Sequence, residues 1–379
     1  MRVLFSSTFG YGHIFPMLPL ALALREVGHE VLWATSAHAT RHVAAAGLDT
    51  APAGAAGPEF LEAVGRLHAT AAGIAPPERA AFMYPRLFGE LLTPPMAADL
   101  LPLAQEWRPD LMVHEQGELA SPLVGAVLGT PSVTHSFGGA IPAEIMAAAG
   151  ERVAPLWAAY VQDPAPYAGC FTSLYLDICP SSVQSVATDH IPAVQPLRPV
   201  TRGPDQQPDD EPPLVYLTLG TVQNHAPILP TVAAALSALP IRLLVAVGPD
   251  GDPSSLGELP PNVQVEKWVD QPQVLERCSV VVSHAGSGTF LGALAAGRPQ
   301  LCMPLGADQF RNSAGATRSG TALVLTPGEV NAESVTWAVS RLMTEDSFTD
   351  RARSVAAEIA HMPSPAEVVD VLVERFSRT

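Results

Sequence analysis

Short apolar runs that stop at glycine alternate along this chain with longer stretches whose apolar residues recur at helical spacing. Val3–Ser7 reads as a buried strand that ends in the turn Gly10-Tyr11-Gly12-His13, and Phe15–Val27 then predicts a helix closed by Gly28. Pro16 is tolerated in a first turn, where no amide hydrogen is needed, whereas Pro19 blurs the helix start. Strand Glu30–Ala34, helix Ala37–Ala46 and Gly47 follow. Such alternation predicts an α/β fold with parallel sheets covered on both faces.

From about 52 to 108 the chain is rich in Ala and Pro and reads as irregular with short helices. The rhythm resumes with strand Leu111–His114, helix Ser121–Leu128 and strand Ser132–Ser136. Residues 195–213 hold Pro, Asp and Gln with little to bury, so a linker is expected at 197–213 between a first domain, 1–196, and a second, 214–362. In the second domain the predicted strands are Leu214–Leu219, Ile241–Val247, Val263–Glu266, Ser279–Ser283, Gln300–Met303 and Ala322–Leu325. Helices are expected at Ile228–Leu239, from the 284–289 turn to Ala296, and at Asp308–Arg318. Three more, near 331–343, 346–361 and 365–377, finish the chain.

Composition narrows the function classes. With 379 residues, 47% hydrophobic and 15% charged, the chain can bury two cores. Its net charge of -16 argues against nucleic acid and against stable association with anionic membranes. Lys267 is the only lysine, so a GKS/GKT phosphate loop is excluded. Cys170, Cys179, Cys278 and Cys302 show no CxxC spacing, and buried reduced thiols in a cytoplasmic protein are the expectation. No run reaches the ~18 apolar residues of a membrane span.

Candidate chemistry gathers at strand ends, where α/β sheets bind ligands. His13 sits in a glycine-flanked turn and reads equally as a general base or as an exposed, helix-capping histidine. Gly10-x-Gly12 lacks the third glycine of a dinucleotide fingerprint, since Phe15 takes its place. His284-Ala-Gly286-Ser287-Gly288-Thr289 follows a β-branched strand and opens a helix. Its glycines, amides and hydroxyls suit an anion, with a plain tight turn as the alternative. Gly220-Thr221 ends another strand of that domain. Asp250-Gly-Asp252 resembles a metal-binding DxD but reads better as turn-forming aspartates, and Ala285 breaks the GxSxG elbow of serine hydrolases.

The GYGH turn, LGT, KWVDQPQVL, HAGSGT, GRPQLCMPLGADQF and the helical tail together resemble the family 1 glycosyltransferases, especially the bacterial branch that decorates enediynes and macrolides. The resemblance spans nearly the whole chain. It implies a GT-B fold of two facing Rossmann-like domains, with a C-terminal helix (363–379) crossing back to the first. It also implies an inverting, metal-independent transfer without a cofactor. On that resemblance His13 is the catalytic base and Glu115 its supporting carboxylate, where most relatives carry aspartate. Trp268 stacks the base, with Val269 offering backbone hydrogen bonds. Gly220, Thr221, His284, Gly286, Ser287, Gly288 and Thr289 receive the diphosphate, and Asp308 and Gln309 hold sugar hydroxyls. Taken without the resemblance, Trp268 reads as a buried structural residue. Gly292 stands where plant relatives carry a ribose-binding glutamate, which fits a dTDP-linked donor.

A hydroxyl-bearing apolar acceptor, such as a polyketide, is expected in the first domain, whose irregular part carries Phe60, Phe82, Met83, Tyr84, Phe88, Phe137, Trp157 and Tyr160. For any single one, ordinary core is the alternative. A carbon-glycosylating relative, a nucleotide-sugar epimerase and a silent sugar-nucleotide-binding partner protein are the rival readings. A monomer or homodimer is expected.

Overall fold

The structure is a computed structural model, and it describes residues 1–199, 212–220, 228–249 and 251–377. The chain divides into two units, the first made of Met1–Cys179, Val186–Arg198 and Met362–Thr379, the second of Pro180–Ser185 and Pro199–His361. Most of the expected linker, residues 200–211, lies outside the described residues.

In the first unit the elements run β1 (Arg2–Ser6), α1 (Tyr11–Ile14), α2 (Leu18–Glu26), β2 (Glu30–Thr35), α3 (Thr40–Ala45) and β3 (Asp49–Pro52). Next come α4 (Pro58–Ala71), α5 (Arg79–Tyr84), a π-helical stretch over Pro85–Leu92, α6 (Thr93–Trp107), β4 (Leu111–Glu115) and α7 (Ala120–Leu128). Then follow β5 (Ser132–His135), α8 (Ala143–Ala159), β6 (Leu174–Asp177) and β7 (Val194–Pro196). The strands form one sheet in the order β3-β2-β1-β4-β5-β6-β7, with every pair parallel. The two prolines explain the blurred helix start, because a 3-10 turn over Phe15–Met17 separates α1 from α2 and each proline sits in the first turn of its segment.

Residues 52–108 are not irregular. They hold two long helices, α4 and α6, with α5 and the π-helical stretch between. Pro58, Pro85, Pro94 and Pro95 fall at helix starts, where they do no harm, and Pro102 lies inside α6, so a proline-rich composition is a poor sign of loop there. Sequence periodicity also missed the short strands β3, β6 and β7 and the helix α8.

The second unit holds β8 (Leu214–Thr218), α9 (Ile228–Ser237), β9 (Arg242–Ala246), β10 (Val263–Glu266), α10 (Gln271–Arg277), β11 (Val280–Ser283) and α11 (Ser287–Ala295). It continues with β12 (Gln300–Cys302), α12 (Gln309–Ser319), β13 (Ala322–Val324), α13 (Ala332–Thr344) and α14 (Asp346–His361). Its sheet is again wholly parallel, in the order β10-β9-β8-β11-β12-β13. Residues 180–185 belong to this unit rather than to the one before it. Ser181 Oγ and the Ser182 amide donate to Glu358 Oε1 at 2.9 and 3.2 Å. A Cβ on Gly315 would stand 2.1 Å from Val183 O, so the segment approaches the backbone of the helix Gln309–Ser319 closely at this glycine.

The last helix, α15 (Pro365–Phe376), returns to the first unit and packs on α2. A capping box formed by Ser364 and Glu367 starts it, and Val368, Val369 and Leu372 are buried.

Candidate functional site

In each sheet the strand order reverses beside its first strand, between β1 and β4 in the first unit and between β8 and β11 in the second. The loops leaving two such strands diverge to opposite faces and open a crevice at their carboxyl ends. Of the sequence-predicted residues, His13 and Glu115 fall at the first point, and Gly220 and the 284–289 turn at the second.

In the first unit, His13 lies in α1 just beyond β1, and Glu115 is the last residue of β4. His13 Nδ1 is 3.0 Å from Glu115 Oε1, with the histidine side chain 22% exposed and the glutamate wholly buried. Gly10 permits this arrangement, because a Cβ there would sit 2.8 Å from His13 Cδ2. Burial pushes the Glu115 carboxyl up, but the facing His13 and hydrogen bonds from His13, Gly117 and Thr8 outweigh it and hold the group below its ordinary value. Glu115 therefore stays an anion, fixes the proton of His13 on Nδ1, and leaves Nε2 as the basic nitrogen.

Two aromatic rings flank the imidazole, Phe137 at 4.6 Å and Phe88 at 5.5 Å between centroids. Phe88 is carried on the π-helical stretch, a backbone form that recurs at functional sites, and its carbonyl accepts from Thr93 Oγ1 at 2.6 Å. Tyr84 packs behind Phe88 with centroids 4.8 Å apart, is buried, and donates its hydroxyl to the Gln116 carbonyl. Phe60 meets Phe9 edge-on at 5.8 Å, and Phe82 lies under the Arg86 guanidinium. Trp157 is core. Of the expected acceptor aromatics, then, Phe88 and Phe137 adjoin His13, Tyr84 backs Phe88, and Phe60 and Phe82 lie with other partners.

In the second unit, Gly286 caps α11 without a side-chain hydrogen bond, which leaves the first amides of that helix without a side-chain acceptor at the positive end of its dipole. Ser287 Oγ donates to Asp308 Oδ2 at 2.6 Å, so its proton is not the one offered to an anion. Thr289 Oγ1 accepts from Gln271 Nε2 at 3.0 Å and keeps its own proton to give. His284 is wedged between glycines, since a Cβ would approach its ring to 2.7 Å from Gly220 and 2.5 Å from Gly286. Burial pushes His284 down to about 4, only partly offset by the Asp308 charge, so the ring is neutral at pH 7.

Asp308 also accepts from Asn312 Nδ2 at 3.0 Å. Gln309 is buried, and its Oε1 takes the amides of Leu305 and Gly306 at 2.7 and 2.9 Å, so this oxygen shapes the loop before α12. Trp268 is 57% exposed, which overturns its reading as a structural core residue. Val269 packs partly buried against the core. Thr221 and Asp250 lie outside the described residues. Asp252 binds the Ser254 amide and hydroxyl at 2.9 and 2.7 Å, the turn role expected of it.

Sequence reasoning missed two residues. Thr8 donates both its amide, at 3.2 Å, and its hydroxyl, at 2.9 Å, to Glu115 Oε1. Asn312 reaches Ala285 O, Ser287 Oγ and Asp308 Oδ2 at 2.9, 3.1 and 3.0 Å and so ties the start of α11 to the start of α12. Ala285 needs that tie, because it is held at φ 63, where a residue with a Cβ is strained. Neither carries a motif signature, although Asn312 lies four residues beyond Asp308 on one helix face.

Among the described residues no group of three His, Cys, Asp or Glu side chains could hold a metal, and no helix is long and apolar enough to cross a membrane. The four cysteines are buried and form no disulfide.

Residues 22–196 match the N-terminal domain, and residues 232–375 the C-terminal domain, of the erythromycin biosynthesis protein CIII-like family. The elloramycin glycosyltransferase ElmGT of Streptomyces olivaceus is 35% identical, over 99% of this chain and 98% of that protein. Among solved structures, the glycosyltransferase SnogD of Streptomyces nogalater superimposes with a TM-score of 0.78 at 29% identity, covering 100% of this chain and 99% of its own. SsfS6 of Streptomyces sp. SF2575, complexed with thymidine diphosphate, gives 0.76 at 28% identity, covering 99% of each chain.

Proposed function

Since this chain belongs to the erythromycin biosynthesis protein CIII-like family and is a GT-B glycosyltransferase of the bacterial natural-product branch, we propose that it moves a deoxysugar from a dTDP-linked donor to a hydroxyl of an apolar natural-product aglycone, with inversion. The observation that carries the reading is the contact of 3.0 Å between His13 Nδ1 and the buried Glu115.

Nε2 of His13 takes the proton of the acceptor hydroxyl while its oxygen attacks the anomeric carbon from the face opposite the diphosphate. The bond from that carbon to the diphosphate oxygen breaks and its electron pair leaves with the diphosphate. Glu115 stabilises the imidazolium that forms. The amides that open α11, with Thr289 and the neutral His284, meet the charge on the leaving group, so the step needs no metal. Phe88 and Phe137 give the acceptor an apolar wall beside the base.

Two observations support dTDP. SsfS6, at 28% identity, was solved with thymidine diphosphate. On α11, Gly292 offers no acceptor for a ribose 2′-hydroxyl, and a Cβ there would meet Leu275 Cδ1 at 2.9 Å.

The test is calorimetric binding of dTDP against UDP, followed by dTDP release from dTDP-sugars with a panel of aglycones, with and without EDTA. Tighter dTDP binding and acceptor-dependent, EDTA-insensitive release are expected. Conversion of the dTDP-sugar without an acceptor and without net dTDP release would point instead to an epimerase, and nucleotide binding without any turnover to a silent partner protein.

A further inference from the structure

Beneath the imidazole, one oxygen of Glu115 does most of the work. Oε1 receives His13 at 3.0 Å, the Thr8 hydroxyl at 2.9 Å and the Thr8 amide at 3.2 Å, while Oε2 receives the Gly117 amide. Thr8 is itself held in place. Trp33 Nε1 donates to Ser7 Oγ at 3.0 Å, and Thr35 Oγ1 donates to the Thr8 carbonyl at 3.2 Å. Both Thr8 and Glu115 are buried, so no bulk water can substitute for a lost donor without rearrangement.

We propose that Thr8 is a positioning residue of the dyad, and that its hydroxyl limits how strongly Glu115 Oε1 attracts the proton held between that oxygen and His13. The inference rests on the reading of His13 as the base. A carboxylate oxygen that already accepts two hydrogen bonds has less charge left for a third partner. Removing the Thr8 hydroxyl concentrates the charge of Oε1 on His13, stabilises the imidazolium and makes the ring harder to deprotonate. Thr8 thereby weakens the hold of the base on its proton.

The other titratable groups around Glu115 do not supply the same control. His135, beside it on β5, donates Nδ1 to the Ser136 carbonyl and is pushed by burial to about 4. His114, preceding it on β4, is lowered by burial and engages the Glu118 carbonyl at 2.7 Å. Glu118, before α7, is occupied by Ser6 Oγ at 2.7 Å and by the amides of Ala120 and Ser121. Cys170, from the segment before β6, is pushed by burial out of the neutral range and stays a thiol. The rings that flank His13, Phe88 and Phe137, carry no charge.

The experiment follows the Cε1 proton of His13 by NMR against pH in the whole protein, the resonance being assigned by its loss in His13→Gln. In Thr8→Val the midpoint is expected to rise by roughly 0.5–1 pH unit, and Thr8→Ser should restore it. The acid limb of the pH–rate profile should shift in the same direction. Thr8→Ala provides the same comparison if the valine variant does not fold. A midpoint that stays put or falls in the folded Thr8 variants, or that Thr8→Ser fails to restore, overturns the proposal. The titration needs neither donor nor acceptor. An absence of acceptor-dependent dTDP release would therefore sink the transfer reading and leave this result standing.

Discussion

Replacing Glu115 by glutamine removes one charge while keeping the shape of the side chain, and its consequences can be worked out from the contacts. The carboxylate is wholly buried and lies 3.0 Å from His13 Nδ1. An opposite charge at such range raises the affinity of a histidine for its proton by about 1–3 pH units, or about 1.4–4 kcal/mol. Two unit charges 4 Å apart interact by about 4 kcal/mol at an effective dielectric near 20, so the upper figure is a ceiling. Because His13 is 22% exposed, water screens part of this. A loss of about 10- to 10³-fold in kcat is expected from the imidazolium alone.

The amide adds a second cost. Both carboxylate oxygens receive N–H or O–H donors, from Thr8 and His13 on Oε1 and from Gly117 on Oε2. Whichever way the substituted amide turns, its NH2 faces a donor in a buried place, at about 1–3 kcal/mol of stability. The assay is dTDP release at saturating donor and acceptor, with dTDP calorimetry and a melting curve on the same sample. Slow turnover with dTDP affinity unchanged within about twofold is expected, since Glu115 belongs to the first unit and the α11 loop to the second. A folded variant that keeps half the wild-type turnover would refute the reasoning.

Trp268→Ala should raise the Kd for dTDP by about 5- to 100-fold, the usual worth of one base–aromatic stack, with the melting temperature unmoved because the ring is 57% exposed. Asn312→Ala should raise the donor KM more than it lowers kcat, and cost about 1–3 kcal/mol, as the ties to Ala285, Ser287 and Asp308 go together; steady-state kinetics and urea unfolding would show it. Acid should weaken the fold early. Buried His135 and His284 sit at about 4 while the unfolded chain binds protons near 6.5, so their contribution is complete above pH 6.5 and declines as pH falls towards 4. At pH 5 each has lost about 2 kcal/mol, which urea unfolding at pH 7 and pH 5 would detect. Glu115, held below its ordinary value, contributes above about pH 4.5 and is lost on further acidification.

Sequence alone determined the parallel α/β architecture, the strands at the sheet centres and the residue types of the site, because those features are local. A buried strand needs a continuous apolar run, and an anion loop needs glycines ahead of a helix. Thus Val3–Ser7, Leu111–His114 and the 284–289 turn were legible, and so was the histidine after the first strand. The helices of residues 58–107 were not, because prolines at helix starts look like loop.

What only the tertiary structure decided is which side chains meet. Strand order sets β1 beside β4, and that adjacency brings Thr8, His13 and Glu115 to one point. Packing of the start of α12 against the start of α11 makes Asn312 a hub and turns the oxygen of Gln309 inward. Exposure of Trp268 and burial of Tyr84 likewise follow from which face each element presents. Hydrogen bonds and burial act across space between residues distant in the chain, and no local pattern of apolar and polar positions encodes that pairing.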